Sequence, residues 1–205
     1  NNEKPRLFKG ITAHYGPVLA GGHIVVASGD GTLRLFENTG TATAPAFEAR
    51  TGKELWRWGT WNPTKIGHWR LVPSPVSNGS NVLACAPKGA PVYAVKGGLK
   101  GAHTSEDALA WRSRLDDEDM PSKAYKDVSS DVSTPLFYKG HYYILNGEKQ
   151  RLACVKPETG EVLWHEDLGG RTKIEASPTG ADDKIFVMDH RGEVYVVTTP
   201  QSAAQ

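Results

Sequence analysis

Apolar and polar residues alternate along this chain in short runs, and the runs are separated by Gly, Asp and Asn. Ile24 and Val26, Leu33 and Leu35, Ile185 and Val187, and Val194 and Val196 follow the period of two that gives each face of a strand its own side-chain set. Gly29-Asp30-Gly31, Lys88-Gly89, Asn146-Gly147 and Arg191-Gly192 punctuate the runs with residues that tolerate positive φ, the chemistry of hairpin turns. No run has helical periodicity with caps. The pattern predicts an all-β chain.

The alternation is organised in a repeated phrase. A small residue and Pro open each copy: Gly16-Pro17 before HIVVASGDGTLRLF, Ser74-Pro75 before NVLACAPKGAPVYAV, Thr134-Pro135 before HYYILNGEKQRLACV, and Ser177-Pro178 before KIFVMDHRGEVYVV. After three copies comes an outer element that ends in Trp: ARTGKELW (Trp56), DALAW (Trp111) and PETGEVLW (Trp164). The first two copies carry insertions, NTGTATAPAF and GGLKGAHTSE, expected as loops between the last two strands of a unit. Four-stranded units of about 40 to 45 residues, none able to bury its faces alone, mark a β-propeller. The chain reads as one segment, 1–205, of four-stranded antiparallel blades over 13–58, 70–114, 130–168 and 173–199.

Blade four stops at VYVVTTPQSAAQ, without a fourth strand or a Trp, so about three and a half blades are present. Two closures are open. Leu7–Thr12 supplies the missing outer strand and closes a small four-bladed ring, or the chain is part of a larger ring completed by another chain. Open sheet edges recruit a neighbour, and the expected partner is a protein or a second chain that completes the propeller. The ends, NNEKPR and PQSAAQ, read as solvated tails, and the sequence contains neither a signal peptide nor an 18-residue apolar span.

Trp56, Trp111 and Trp164 are assigned a structural role. A Trp on an outer strand reaches across the neighbouring blade, with its ring buried and its indole N–H aimed at a carbonyl. Trp58, Trp61 and Trp69 are additional and fall in WGTWNPTKIGHW, between blades one and two. They are read as a satellite core or an exposed aromatic recognition loop.

Thr51-Gly52-Lys53-Glu54-Leu55-Trp56 and Thr159-Gly160-Glu161-Val162-Leu163-Trp164 resemble the tryptophan-docking motif of the pyrroloquinoline-quinone-like propeller repeats. The resemblance covers nearly the whole chain and implies a propeller of seven or eight blades. It implies one of two functions. Quinoprotein dehydrogenases oxidise alcohols or sugars with the quinone and calcium; other members are non-catalytic, among them the lipoprotein of the outer-membrane barrel assembly machinery. The alcohol dehydrogenases of the family place adjacent cysteines beside the quinone, and here Cys85 and Cys154 are far apart.

The remaining chemistry is sparse. With 24 basic and 23 acidic residues, the net charge of +1 gives no electrostatic case for nucleic acid or an anionic membrane. The two cysteines lie in apolar strands and are expected to be free, inert thiols. No nucleophile elbow, zinc motif, paired C-x-x-C or phosphate loop is present, and the seven histidines are scattered. Asp116-Asp117-Glu118-Asp119 lacks the order of a calcium loop, and Asn78-Gly79-Ser80 reads as a strand turn or a glycosylation acceptor. No catalytic residue and no metal ligand is assigned.

In a propeller, the loops of one rim converge on the central channel. The connections entering blades three and four therefore supply the binding candidates Asp127, Asp131, Arg171, Lys173 and Glu175, which equally serve to satisfy backbone groups where strands begin. The sequence favours a non-enzymatic scaffold or binding module that mediates protein–protein interaction or assembly, with no cofactor. The alternative is a fragment of an alcohol or sugar dehydrogenase with pyrroloquinoline quinone (PQQ) and calcium; a carbohydrate-binding or adhesive module comes third. The family resemblance implies the periplasm or cell envelope of a bacterium.

Overall fold

A computed structural model describes residues 54–59, 72–85, 91–113 and 128–199. It also places the backbone of 18–20, 23–27 and 33–36, where Val25 is the one side chain described. Pro17, Trp61, Trp69, Asp127, the segment 7–12, the first insertion and the acidic run 116–119 lie outside the described residues.

The chain folds as the propeller its alternation predicts. Blade one holds β1 (Val18–Ala20), β2 (His23–Ala27), β3 (Leu33–Phe36) and β4 (Glu54–Trp58). Blade two holds β5 (Val76–Ser77), β6 (Asn81–Cys85), β7 (Val92–Lys96) and, after an intervening strand β8 (Gly101–His103), β9 (Leu109–Arg112). Blade three holds β10 (Leu136–Tyr138), β11 (His141–Asn146), β12 (Arg151–Val155) and β13 (Val162–Asp167). Blade four holds β14 (Thr179–Ala181), β15 (Lys184–Met188) and β16 (Val194–Thr198). Within each blade the strands pair antiparallel in chain order. Pro75, Pro135 and Pro178 each stand immediately before the first strand of a blade, all three buried.

The sequence expectation fails for the second insertion. GGLKGAHTSE is not simply a loop: its β8 pairs in parallel with β4 and adds a fifth strand to blade one. Gly101-Ala102-His103 has no apolar alternation, so nothing in its composition announces a strand; backbone pairing to the exposed edge of β4 makes it one. A single 3-10 turn, Glu106–Ala108, returns the chain to β9.

Packing is between blades. Val25, Trp56, Val82, Val95 and Leu109 join blades one and two. Leu83, Cys85, Val92 and Ala94 meet Tyr142, Ile144, Ala153 and Val155 between blades two and three. Tyr143, Leu145, Leu152 and Cys154 meet Ile174, Ile185 and Val187 between blades three and four. Blade three shows the period of two directly: Tyr142 and Ile144 face one neighbour and Tyr143 and Leu145 the other, all fully buried. Each such side chain stabilises by about 1.5–3 kcal/mol relative to exposure.

The three Trp residues take one place in the repeat. Each is the third residue of its outer strand and pairs with the facing strand beside a register shift: Trp56 with Leu35, Trp111 with Ala94, Trp164 with Cys154. The strands therefore run on past the Trp rather than ending at it. In each case the extra residue of the bulge directly precedes the Trp (Leu55, Ala110 and Leu163), and a bulge re-aims the side chain that follows. All three rings pack in the core shared with the following blade.

Trp111 is held by a hydrogen bond across the blade interface as well as by packing. Its indole N–H donates to the Pro157 carbonyl at 2.7 Å, and the same oxygen accepts from Asn81 Nδ2 at 2.8 Å. Asn81 Oδ1 in turn accepts from the Tyr142 hydroxyl at 2.8 Å. This buried network ties blade two to blade three, and Asn81, with 4% exposure, is a member that the strand reading of NVLAC did not single out. Gly160 lies against the Trp111 ring with φ +75; a Cβ there would stand 2.6 Å from the ring.

Cys85 and Cys154 are free and buried, in different interblade cores. Burial pushes the Cys85 thiol to about 12 and the Cys154 thiol to about 11, from 9.0. The Asn78-Gly79-Ser80 segment is a turn in which Asn78 Oδ1 accepts from the Ser80 and Asn81 amides at 3.0 and 2.8 Å.

Three outcomes follow from this packing. Gly160→Ala forces the Trp111 ring away and Trp111→Phe leaves a buried carbonyl one donor short, so each is expected to cost about 1–3 kcal/mol in urea unfolding. Asn81→Ala should lower stability comparably, and its coupling to Trp111→Phe in a double-mutant cycle should exceed about 0.5 kcal/mol. The thiols should resist a thiol reagent until the chain unfolds. Because both ionise later in the folded chain than in the unfolded one, the stability held below pH 9.0 should fall as the pH climbs from 9.0 towards about 11 and 12.

Candidate interaction site on the rim

The connection between β13 and β14 is fixed by both blades it joins. The Ile174 amide donates to the Gly147 carbonyl at 3.1 Å, and Gln150 Nε2 donates to the Thr172 carbonyl at 2.8 Å. From blade four, Asp189 Oδ2 accepts from the Thr172 hydroxyl at 2.8 Å. Gly147 is required here, since a Cβ would fall 1.7 Å from the Ile174 oxygen.

With Ile174 buried, its neighbours Lys173 and Glu175 are left on the rim. Lys173 Nζ lies 2.7 Å from Glu148 Oε1 and 3.1 Å from Glu175 Oε1, and His190 Nε2 lies 3.2 Å from Glu175 Oε2. Glu148 and Glu175 raise the Lys173 ammonium above its ordinary value; Lys173 holds the Glu175 carboxyl below the usual range. Glu148 and His190 come from the β11–β12 and β15–β16 turns, so chain order gave no sign that they join the pair. Arg171 is exposed two residues earlier. Asp131 lies half-buried on the equivalent connection, which enters β10.

The two connections share a device. Asn146 Nδ2 donates to the Ser129 hydroxyl at 3.1 Å in blade three, as Thr172 donates to Asp189 in blade four. Asp189 is buried, which raises its carboxyl. Donors from Thr172, the Arg191 and Glu193 amides and Tyr195 outweigh that effect and hold it below 3.8. Around the inner strands, the Ser74 amide donates to Thr134 Oγ1 and the Thr134 amide to Ser177 Oγ, both at 3.0 Å. These are the residues that precede the repeated prolines.

On the opposite rim, Lys139 pairs with Asp183 between the turns of blades three and four. Trp58 is the last residue of β4, not part of an open loop: its ring lies 4.9 Å from Tyr93, and its indole N–H donates to the Ser105 carbonyl at 3.2 Å. It is half-buried and engaged between blades one and two. Among the described residues no group of three or more His, Cys, Asp or Glu is placed to hold a metal ion. Cys85 and Cys154 belong to different cores, so they do not form the adjacent pair of a quinone site.

Asp189 has a signed pH consequence. Its contribution to stability is present above pH 3.8 and is lost as the pH falls through its lowered folded value. Asp189→Asn should lower the urea midpoint at neutral pH, and the gap to the parent should close in acid.

The family model for outer membrane protein assembly factor BamB matches residues 40–202. BamB of Shewanella oneidensis is 30% identical over 91 residues, which are 43% of this chain and 22% of that protein. The crystal structure of BamB from Moraxella catarrhalis superposes with a TM-score of 0.57 at 16% identity, over 92% of this chain and 49% of that one. The quinohemoprotein alcohol dehydrogenase of Comamonas testosteroni superposes with a TM-score of 0.56 at 15% identity, over 85% and 28%. The chain thus spans half or less of these proteins, and the two structural likenesses speak for the fold. With a family model covering most of its length and propeller blades throughout the described residues, the chain belongs to the BamB-like family of PQQ-like repeat proteins.

Proposed function

We propose that this chain is a non-enzymatic propeller scaffold that supports the assembly of outer-membrane proteins in the envelope of a bacterium. The observation that carries this reading is the BamB family match over residues 40–202. The rim supports it chemically: the connections into blades three and four present Asp131, Arg171, Lys173 and Glu175 as charged side chains, and that into blade four is hydrogen-bonded from both sides. Mixed charges on a rigid rim suit a polar protein contact rather than a small apolar ligand. No cofactor enters this function, and no helix among the described residues is long and apolar enough to cross a membrane.

The test uses a bacterium that lacks its own BamB, with this chain directed to the periplasm and folded outer-membrane proteins quantified. Recovery of their levels is the expected result. Arg171→Glu should reduce that recovery while shifting stability by no more than about 0.5 kcal/mol. Failure to recover, together with saturable binding of PQQ in the presence of calcium, would overturn the scaffold in favour of the dehydrogenase reading.

A further inference from the structure

Gly follows Asn twice in the sequence, at Asn78-Gly79 between β5 and β6 and at Asn146-Gly147 between β11 and β12. The side-chain amide of an Asn is an electrophile within reach of the next main-chain nitrogen, and Gly, which has no Cβ, hinders that approach least. The two pairs share this chemistry and differ in their surroundings.

Asn146 is 8% exposed, and both ends of its amide are engaged: Nδ2 donates to Ser129 Oγ and Oδ1 accepts from the Lys149 amide, each at 3.1 Å. Gly147 is pinned by the Ile174 amide and has no room to turn against the Ile174 oxygen. Release of ammonia and entry of water there require the joint between blades three and four to open first. Asn78 is half-buried, and Gly79 and Ser80 beside it are exposed. Gly79 has φ +95 and open space around the place of a Cβ, and its amide donates to Ser77 Oγ at 3.0 Å in a bond exposed to water. The Ser80 and Asn81 amides on Asn78 Oδ1 stand where negative charge develops when the side-chain carbonyl is attacked.

We propose that Asn78 is a site of spontaneous conversion to aspartate and isoaspartate in the folded chain, whereas Asn146 is protected. Hydroxide takes the Gly79 amide proton, the nitrogen bonds to Asn78 Cγ, and the Cγ–Nδ2 bond breaks. Nδ2 leaves as ammonia with a proton drawn from water, which restores the hydroxide. Water then opens the cyclic succinimide: attack at the side-chain carbonyl gives aspartate, and attack at the main-chain carbonyl gives isoaspartate. Aspartate keeps an acceptor for the Ser80 and Asn81 amides. Isoaspartate routes the main chain through Cβ, next to the residue whose side chain joins Trp111 and Tyr142 across the blade interface. The site is independent of the assembly role, because its chemistry lies within one turn.

The experiment incubates the full chain at mildly alkaline pH in heavy-oxygen water, folded and in urea, and follows the peptides carrying Asn78 and Asn146 by mass spectrometry. In urea the two should take up label at similar rates. In the folded chain Asn78 should keep a rate within about tenfold of its urea value, while Asn146 slows by about a hundredfold or more. Asn78→Asp should keep the parent's urea midpoint and abolish the acidic form that the folded parent accumulates on ion exchange. Suppression of Asn78 as strong as that of Asn146 would overturn the proposal. So would conversion of Asn146 in the folded chain at the rate of Asn78, or an acidic form that still accumulates in Asn78→Asp.

Discussion

A four-stranded sheet has two apolar faces and no means of covering either by itself, and everything in this molecule follows from that constraint. In blade three, β11 alternates Tyr142 and Ile144 towards one neighbour with Tyr143 and Leu145 towards the other. The blade is thereby made of two half-cores rather than one whole core. Stability is a property of contacts between adjacent repeats, and among the described residues blades two and three each contribute to two of them.

Hydrophobic burial fixes how close the blades come but not their register, because apolar contact is non-directional. The polar bonds supply direction. Trp111, Asn81, the Pro157 carbonyl and Tyr142 form a buried network that is satisfied only at one offset of blade two against blade three. The bulge before each Trp belongs to the same solution, since it turns the ring towards the following blade. At the rim, Gly147, Gln150 and Asp189 hold the connection into blade four from two sides. Lys173 and Glu175 are consequently displayed from a stiff support.

Periodicity made the blades legible, and composition hid what lies outside them. Ile185, Val187, Val194 and Val196 declare strands by alternation, and Pro75, Pro135 and Pro178 mark where blades begin because Pro suits the first residues of a strand. β8 left no trace, because Gly101-Ala102-His103 is a strand only by pairing with β4. Asn81 looked like a strand residue whose side chain happens to be polar; its partners lie 61 and 76 positions away. The salt-bridged rim was half visible. Lys173 and Glu175 are near neighbours in sequence, whereas Glu148 and His190 reach them only because successive blades stack their turns on the same side. Trp58 sits at the end of β4, and Tyr93, which receives its ring, belongs to another blade, a contact that the cluster of Trp residues in sequence could not show.

The bonds from the Ser74 amide to Thr134 and from the Thr134 amide to Ser177 run around the inner strands in one sense. Blade three donates with its main chain and accepts with its hydroxyl, so both halves of the bond are encoded by the same two-residue phrase. A gene duplication that copies one blade copies a donor and an acceptor together. The new unit can be inserted between any two old ones without inventing a contact, and ring size can drift in evolution while the joint between units stays the same.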